Sequence, residues 1–269
     1  MPRDRHQDAY DANRILWDRR TAIHLESKFY DVKGFVKSRD SLKSLERKAL
    51  GDLQGKKVLH LQCHFGQDTI SMAALGAEAI GIDLSDAAIS AAKELAEKCE
   101  VSAQFYASNV YDIDALDLGE FDIVFTSYGT ICWLPDLSEW AAIIRRHLRA
   151  GGRFVMIDFH PVLQMIDWES GDVCFPYFPH GDAIIEENEQ SYVDDMEMID
   201  LPSYFWQHST SELLQSLIDH ELVLVRFAEY DRSPYDCFPH MEAQEDGQYK
   251  YSKTKVDLPH LFEVQCITR

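Results

Sequence analysis

Apolar residues along the chain fall into two alternating patterns. Short apolar runs bounded by glycine, proline or acidic residues are typical of buried strands, and they recur at 58–61, 79–82, 103–106, 121–126, 153–158, 222–227 and 261–268. Segments with apolar residues three or four positions apart lie between many of these runs and predict helices. Strands that alternate with helices indicate an α/β fold built on a parallel sheet.

The segment 57–85, with the sequence KVLHLQCHFGQDTISMAALGAEAIGIDLS, has the most informative pattern. It predicts a strand, a tight turn at Gly66, a helix that ends at Gly76, and a second strand that ends at Asp83. In open parallel sheets, ligands bind at the carboxyl ends of the strands, where helix N-terminal amides and a carboxylate can hold a phosphate or a ribose. The segment therefore predicts a site for a cofactor of nucleotide type.

The turn in this segment distinguishes between adenosine cofactors. Dinucleotide sites need three glycines so that the backbone can approach a pyrophosphate, whereas the turn Gln62-Cys63-His64-Phe65-Gly66 contains one. The side chains of His64 and Phe65 would crowd a diphosphate. S-adenosylmethionine (SAM) has no phosphate and needs polar partners for its amino-acid end, a carboxylate for its ribose and an apolar slot for its adenine. The turn therefore favours SAM over NAD.

Over residues 55–159 these motifs resemble those of the class I SAM-dependent methyltransferases, with a weaker similarity after residue 201. The similarity is strongest to a bacterial subgroup with an LHLQCHFGQD-type first motif. It implies a doubly wound, mostly parallel sheet of seven strands with an antiparallel last strand. It also implies SAM as cofactor and S-adenosylhomocysteine (SAH) as product. Most members of the family have an acidic residue and several glycines where this chain has His60, Gln62 and His64.

The resemblance also implies roles for individual residues. The methionine end of SAM is assigned to the turn, its ribose to the acid after the second strand, and its adenine to the loops that follow the second and third strands. Acceptor and cofactor are expected to meet after the fourth strand, where Tyr128 would position the nucleophile. In chain order, the predicted cofactor contacts after residue 60 are Gln62, Cys63, Gly66, Gln67, Asp83, Leu84, Asn109, Val110, Thr126 and Ser127.

Simpler interpretations of the two central residues stay open. Gly66 alone is compatible with any turn, because glycine adopts backbone conformations that other residues avoid. Asp83 alone could cap the following helix, although Ser85 is the better N-cap. Their joint spacing within a strand-helix-strand unit is what favours a cofactor site.

The histidines of the first motif also have simpler interpretations. His60 lies in a strand that is expected to be covered on both faces, which favours a hydrogen-bonded core histidine over a catalytic one. A metal site at His60, Cys63 and His64 is disfavoured, because no fourth ligand is near and the spacing matches no zinc pattern. We therefore predict no metal.

About fifty residues precede the first strand, and we expect residues 1–54 to form a helical lid over the SAM-binding core at 55–160. Helices are predicted at 8–20 and 41–50. Trp17 is expected to contact the cofactor and Tyr30 the acceptor, with His24 also facing inward. The alternative is that Trp17 and Tyr30 only pack a helix against the sheet.

After the fifth strand, His160 is predicted to be a substrate-facing base. Its ordinary pKa near 6.5 lets a neutral imidazole accept a proton around pH 7. Residues 161–208 form an insertion that is rich first in aromatic and then in acidic residues, and we expect it to cap the substrate. Tyr204 and His208 are predicted to line the acceptor pocket. The acidic run is interpreted as a solvated face rather than as a rim that attracts cations.

Residues 209–269 are expected to complete the sheet. Ser209 and Glu212 have the spacing of a capping box that begins a helix. The sequence Glu245-Asp246-Gly247-Gln248 predicts the hairpin turn of a small accessory ribbon.

Composition limits the possible partners. The chain has 269 residues, 46% of them hydrophobic, which is enough for a full core. Its 26 basic and 46 acidic residues give a formal charge of −20, which repels nucleic acid and anionic lipid. Six cysteines without paired spacing, no apolar signal segment and no run long enough for a membrane span lead us to expect a cytoplasmic protein with reduced thiols.

The sequence therefore predicts a SAM-dependent methyltransferase that acts on a small molecule. Two other functions stay open: a SAM-binding protein without catalytic activity, and an NAD(P)-dependent oxidoreductase, which the missing glycines disfavour. Neither the acceptor, nor the choice among O-, N-, C- and S-methylation, nor the oligomeric state follows from the sequence.

Overall fold

The computed structural model describes residues 3–178, 181–187, 189–190, 193 and 198–269. Its main sheet contains β1 (Lys57–Leu61), β2 (Glu78–Asp83), β3 (Gln104–Ala107), β4 (Phe121–Ser127), β5 (Leu148–Phe159), β6 (Val223–Tyr230) and β7 (Leu261–Ile267). The strand order is β6-β7-β5-β4-β1-β2-β3, and β7 is antiparallel to both of its neighbours. The predicted fold class, including the antiparallel last strand, is confirmed.

Helices cover both faces of this sheet. They are α1 (Gln7–Glu26), α2 (Val32–Ser38), α3 (Ser44–Leu50), α4 (Gln67–Ala74), α5 (Asp86–Cys99), α6 (Leu137–His147) and α7 (Thr210–Asp219). Helix α2 lies between the two helices that the sequence predicts at 8–20 and 41–50, and it is not predicted from the sequence. Asp31 caps this helix by accepting a hydrogen bond from the Gly34 N–H. None of the described helices is long and apolar enough to cross a membrane.

Alternating strand residues build the core on the two faces. Leu59 of β1 packs in one apolar cluster with Trp140 of α6, and the neighbouring Val58 packs in another with Leu50 of α3. Successive side chains of a strand point to opposite faces of the sheet. Because helices cover both faces, the parallel strands are apolar at nearly every position. Helix α6 ends at His147, before Gly151, and β5 begins at once.

The insertion and the accessory ribbon lie outside this sheet. Within the insertion, residues Ile184–Glu186 pair with Ser203–Phe205; the acidic positions 194, 195 and 197 lie outside the described residues. Residues Met241–Ala243 pair with Tyr249–Tyr251 around Gly247, whose φ is 77°, so the predicted ribbon is present. Helix α1 reaches the insertion, because the Asn13 side chain bonds both the N–H and the C=O of Tyr204.

Candidate active site

The bend between β1 and α4 has an unusual backbone. Gln62, His64 and Gly66 have φ angles of 54°, 51° and 78°, all in the left-handed region. Gly66 is required there, since a Cβ would lie 2.5 Å from Cε1 of Phe105. The left-handed conformation costs about 1–2 kcal/mol at each non-glycine residue. The bend therefore keeps a backbone suited to glycines while carrying two polar side chains, and strain of this kind is concentrated at functional sites.

Asp83 lies next to the bend at the carboxyl end of β2. One carboxylate oxygen accepts a hydrogen bond from the His64 N–H at 2.7 Å, and the other accepts one from the Ser85 N–H at 2.9 Å. Burial raises the pKa of Asp83 to about 6, with a smaller contribution from Asp18, against the lowering effect of these N–H groups. Each oxygen keeps a lone pair for another donor. Ser85 is the cap of α5, since its hydroxyl accepts from the Ala88 N–H.

Two side chains of the bend have polar atoms without partners. Gln62 donates to the Thr130 carbonyl at 2.9 Å, and His64 Nε2 lies 2.8 Å from His24 Nδ1. Gln62 Oε1 and His64 Nδ1 are buried without a hydrogen-bond partner among the described residues. Such atoms in a folded protein usually have a ligand, ion or water to bind.

The two histidines are held in the neutral form. Burial lowers the pKa of His24 to about 2 and that of His64 to about 3. The positive charge of Arg20 adds to both shifts. Neither imidazole therefore adds positive charge to the bend near neutral pH.

Helix α1 covers the bend with a largely polar face. The ring of Trp17 lies edge-on to His64, with centroids 5.4 Å apart, and the Arg20 guanidinium lies 4.9 Å from the centre of Trp17 and 5.6 Å from that of Trp133. Asp18 fixes the helix, because its carboxylate accepts hydrogen bonds from the Ser85 hydroxyl and the Ala87 N–H, at the start of α5.

Three other residues that the sequence assigns to the cofactor, Gln67, Cys63 and Thr126, have side chains that contact other parts of the protein. Gln67 donates to the Tyr30 carbonyl at 2.9 Å. The Cys63 thiol packs beneath the bend, where it would be 2.7 Å from a Cβ at Gly81, and the Thr126 hydroxyl is enclosed in the sheet. The side chains of Cys63 and Thr126 face the core, so a contact of either residue to the cofactor would be made by its backbone, and both assignments stay predictions.

The residues assigned to the adenine lie in adjacent loops. The Ser108 N–H donates to the Asp83 carbonyl at 2.9 Å, which joins the loops after β2 and β3. Asn109 accepts from the Tyr111 N–H, and Val110 is buried. Leu84 is partly exposed beside Asp83. These loops therefore provide an apolar surface next to the Asp83 carboxylate.

Comparison with known proteins identifies the region around the bend. Residues 59–154 match the family model described as a methyltransferase domain. This region is similar to methyltransferase domains. The match agrees with the predicted methyltransferase family, of which SAM is the expected cofactor; the particular first-motif subgroup stays a prediction.

Individual relatives agree with the family match. An uncharacterised methyltransferase of Synechocystis sp. is 32% identical over 42% of this chain and 52% of its own length. A ubiquinone biosynthesis O-methyltransferase of Aromatoleum aromaticum is 34% identical over 38% and 43%. The chain thus spans about half the length of the curated relatives that it matches. A solved structure from Listeria monocytogenes, described as a putative SAM-dependent methyltransferase, has the same fold, with a TM-score of 0.58, 17% identity and coverage of 83% and 95%.

Asp158 organises the loop that follows β4. Its carboxylate accepts hydrogen bonds from the N–H groups of Gly129, Thr130, Ile131 and Phe159 and from the Thr130 hydroxyl. Burial nevertheless raises the pKa of Asp158. The buried carboxylate therefore fixes the loop between the bend and the insertion.

His160 is not placed as a free base. Its Nδ1 accepts from the Val162 N–H at 3.1 Å, so its Nε2 carries the proton and donates to Glu229 at 2.8 Å. Burial lowers the pKa of His160. Because both ring nitrogens are engaged, the geometry favours a structural role for His160, and its role as a substrate-facing base stays an untested prediction.

Two adjoining clefts lie between the loop after β4 and the insertion, and both are lined by Trp206, Gln207 and His208. The larger has a volume of about 400 Å³ including its open mouth. His208 donates through Nε2 to the Leu134 carbonyl, and its Nδ1 lies 3.0 Å from Glu212. Ser209 still accepts from the Glu212 N–H, so only half of the predicted capping box forms.

The other two predicted acceptor residues do not line these clefts. Tyr204 is held by its backbone against Asn13. Tyr30 stacks on His24 with ring centres 5.2 Å apart and contacts Phe65 over the bend. Of the three predicted acceptor residues, His208 lines these two clefts, whereas Tyr30 and Tyr204 do not.

Sequence reasoning missed two charged residues of the site, Arg20 and Glu46. Both occupy positions that helical spacing assigns to a buried face: Glu46 follows Leu42 by four residues and precedes Leu50 by four. A charged residue within an apolar stripe is the signal that would have found them. No group of three or more His, Cys, Asp or Glu that could hold a metal occurs in the described part of the chain.

Proposed function

We propose that this protein transfers the methyl group of SAM to a small-molecule acceptor. The observation that supports this most strongly is the strained bend with Asp83 beside it, within a region that matches a methyltransferase domain. Three features of a SAM site are thus adjacent: a carboxylate with free lone pairs, unpartnered polar atoms, and an apolar surface.

In this proposal the residues at the bend hold the cofactor. Asp83 accepts the ribose hydroxyls, while Gln62 and His64 supply the polar atoms for the amino-acid end. Leu84 and Val110 flank the adenine. The bulky turn, which would crowd a pyrophosphate, is compatible with this ligand, and the family match gives no support to the NAD(P) alternative.

When bound, SAM supplies an electrophilic methyl group on a sulfonium. The protein then has to align the acceptor, exclude water and accept a proton if one is released. Helix α1, which lays Trp17 over the bend, excludes water on one side. We propose the clefts beside Trp206 and His208, on the other side of the loop after β4, as the entry point of the acceptor.

The acceptor is proposed to be a small molecule. The formal charge of −20 disfavours nucleic acid. Relatives are named as a ubiquinone biosynthesis O-methyltransferase and a demethylmenaquinone methyltransferase, which supports a small-molecule acceptor here.

Cofactor choice and catalysis can be tested in two successive experiments. Calorimetric titration should give micromolar or tighter binding of SAM and SAH and no binding of NADH. Mass spectrometry should then detect SAH formed from SAM in the presence of a panel of phenols, thiols and amines. Binding of NADH instead of SAM would contradict the cofactor assignment. Tight SAM binding without SAH formation on any acceptor would support the non-catalytic alternative.

A further inference from the structure

A direct contact between helix α1 and the bend has no part in the proposed function so far. It joins two histidines, His24 of α1 and His64 of the bend, whose Nδ1 and Nε2 atoms respectively are 2.8 Å apart. His24 is 0% exposed and stacks on Tyr30 over the bend. Burial of a polar ring destabilises the fold unless its nitrogens have partners, so the contact between the two rings needs a physical reason.

The proton between the two rings decides what the other nitrogen of His64 can do. Burial keeps both histidines neutral by lowering their pKa values, so each ring has one nitrogen that donates and one that accepts. If His24 donates to His64 Nε2, then His64 Nδ1 carries a proton and is a donor. If His64 donates to His24, then His64 Nδ1 is an acceptor. In both cases His64 Nδ1 is buried without a hydrogen-bond partner in the described part of the chain.

The neighbouring Gln62 supplies an acceptor to the bend. Its Nε2 donates to the Thr130 carbonyl at 2.9 Å, which fixes the orientation of the amide. The other end of the amide, Oε1, is buried and has no hydrogen-bond partner among the residues that the structure describes. An amide oxygen can accept a hydrogen bond but cannot donate one. Gln62 Oε1 is therefore complementary to an ammonium group and not to a carboxylate.

The amino-acid end of SAM carries both an ammonium and a carboxylate group. Since Gln62 offers an acceptor to the ammonium, the carboxylate needs a donor, and His64 Nδ1 is the atom of the bend that can provide it. Arg20 supports this choice, because its guanidinium lies 4.9 Å from the ring centre of Trp17, which in turn contacts His64. A positive charge beside the bend favours a carboxylate over a further cation at His64.

We propose that the His24–His64 pair binds the carboxylate of the amino-acid end of SAM, an inference that rests on the proposed function. His24 Nδ1–H donates to His64 Nε2, which fixes the proton of His64 on Nδ1. His64 Nδ1–H then donates to the carboxylate, while Gln62 Oε1 accepts from the ammonium. His64 is the residue that contacts the cofactor, and His24 is a positioning residue that acts through it.

This arrangement makes helix α1 part of the specificity of the site. His24 lies near the end of α1, and Asp18 of the same helix accepts a hydrogen bond from the Ser85 hydroxyl, which holds the helix against α5. A ligand without a carboxylate gains nothing from the His64 Nδ1–H, whereas SAM pairs it with a charged acceptor. The pair therefore selects adenosine compounds that carry an intact amino-acid end.

The test compares three ligands by calorimetry: SAM, decarboxylated SAM, which keeps the ammonium, and methylthioadenosine, which has neither group. His24→Phe removes the donor but keeps a ring that can stack on Tyr30, and His24→Asn restores an N–H close to the position of Nδ1. The matched control is His220→Phe, which removes a histidine hydrogen bond to Ser138 outside the bend. Nitrogen-15 NMR of the imidazoles shows which ring nitrogens of the wild type carry protons in the SAM complex.

The wild type should bind SAM about tenfold or more tightly than decarboxylated SAM, the scale of a hydrogen bond to a charged group. His24→Phe should weaken SAM binding about fivefold, the scale of one hydrogen bond, and change the Kd of the other two ligands less than twofold. His24→Asn should recover most of the SAM affinity, and His220→Phe should leave all three Kd values within twofold. NMR should find the proton of His64 on Nδ1.

Three results would each overturn the assignment of the pair. The first is a wild type that binds SAM and decarboxylated SAM equally well. The second is a His24→Phe protein that keeps the wild-type affinity for SAM, or that loses the same factor for all three ligands, since an equal loss would indicate a structural role. The third is a SAM complex in which the proton of His64 is on Nε2. A wild type that binds none of the ligands would refute the proposed function itself, so the two failures are distinguishable.

Discussion

The substitution Glu46→Gln should stabilise the protein at alkaline pH. Glu46 has a folded-state pKa of about 7 against an ordinary value of 4.5, because burial and Asp68 disfavour its charge. A raised carboxyl pKa means that the folded state holds its proton more tightly than the unfolded state. The wild type therefore loses stability as the pH rises from 4.5 towards 7. Glutamine has nearly the same shape and no charge to bury.

The magnitude follows from the two pKa values. Integrating the proton linkage shows that ionisation of Glu46 lowers the free energy of unfolding by about 1.4 kcal/mol at pH 5.5 and by about 3.4 kcal/mol at pH 8.5. The advantage of Glu46→Gln over the wild type should therefore grow by about 2 kcal/mol over this range. Other acids with raised pKa values, such as Asp83, contribute equally to both proteins and cancel in the difference.

Urea unfolding followed by circular dichroism at pH 5.5 and 8.5 measures this difference. Glu97→Gln, which changes an exposed glutamate in the same way, should show a gap to the wild type that does not depend on pH. A Glu46→Gln gap that stays constant within about 0.3 kcal/mol would refute the argument, because it would mean that Glu46 titrates alike in the folded and unfolded chains.

Three further substitutions test the surroundings of the site. Asp158→Asn should cost about 2–4 kcal/mol in urea unfolding, because an amide NH₂ would face several donors of the loop after β4. Gly66→Ala should destabilise the protein by at least about 1 kcal/mol more than Gly247→Ala in the same assay, since both have positive φ but only Gly66 has an atom of Phe105 within 2.5 Å of the new Cβ. His160→Asn should lower the melting temperature yet leave the Kd for SAM within twofold by calorimetry; a selective loss of SAH formation without loss of stability would support His160 as a base.

The regular part of the fold could be predicted from the sequence because it depends on local periodicity. The run at 58–61 and the run at 79–82 differ from β1 and β2 by one residue at most at each end. Ser85 could be recognised as a helix cap, since its partner is three residues away. The predicted location of the cofactor region at the carboxyl ends of β1 and β2 followed from the same local spacing.

The chemistry at the edge of the sheet depends on contacts between distant segments and could not be predicted in the same way. His160 has the composition of a base, but Glu229, its partner, is 69 residues away and comes next to it only when β6 and β7 join the sheet. The spacing along α3 could have marked Glu46 as buried, but not the charge of Asp68, which acts on it in the folded protein.

The central claim is that the Asp83 carboxylate binds the ribose of the cofactor. Its most direct test is calorimetric titration of SAH into the wild type, Asp83→Ala and Asp86→Ala, where Asp86 is a nearby control with a side chain that is 71% exposed. Asp83→Ala should weaken binding by about 1.5–3 kcal/mol, or roughly 10- to 150-fold, which is the scale of hydrogen bonds to a charged group. Asp86→Ala should change the Kd less than twofold. Unchanged affinity in a folded Asp83→Ala protein would contradict the account.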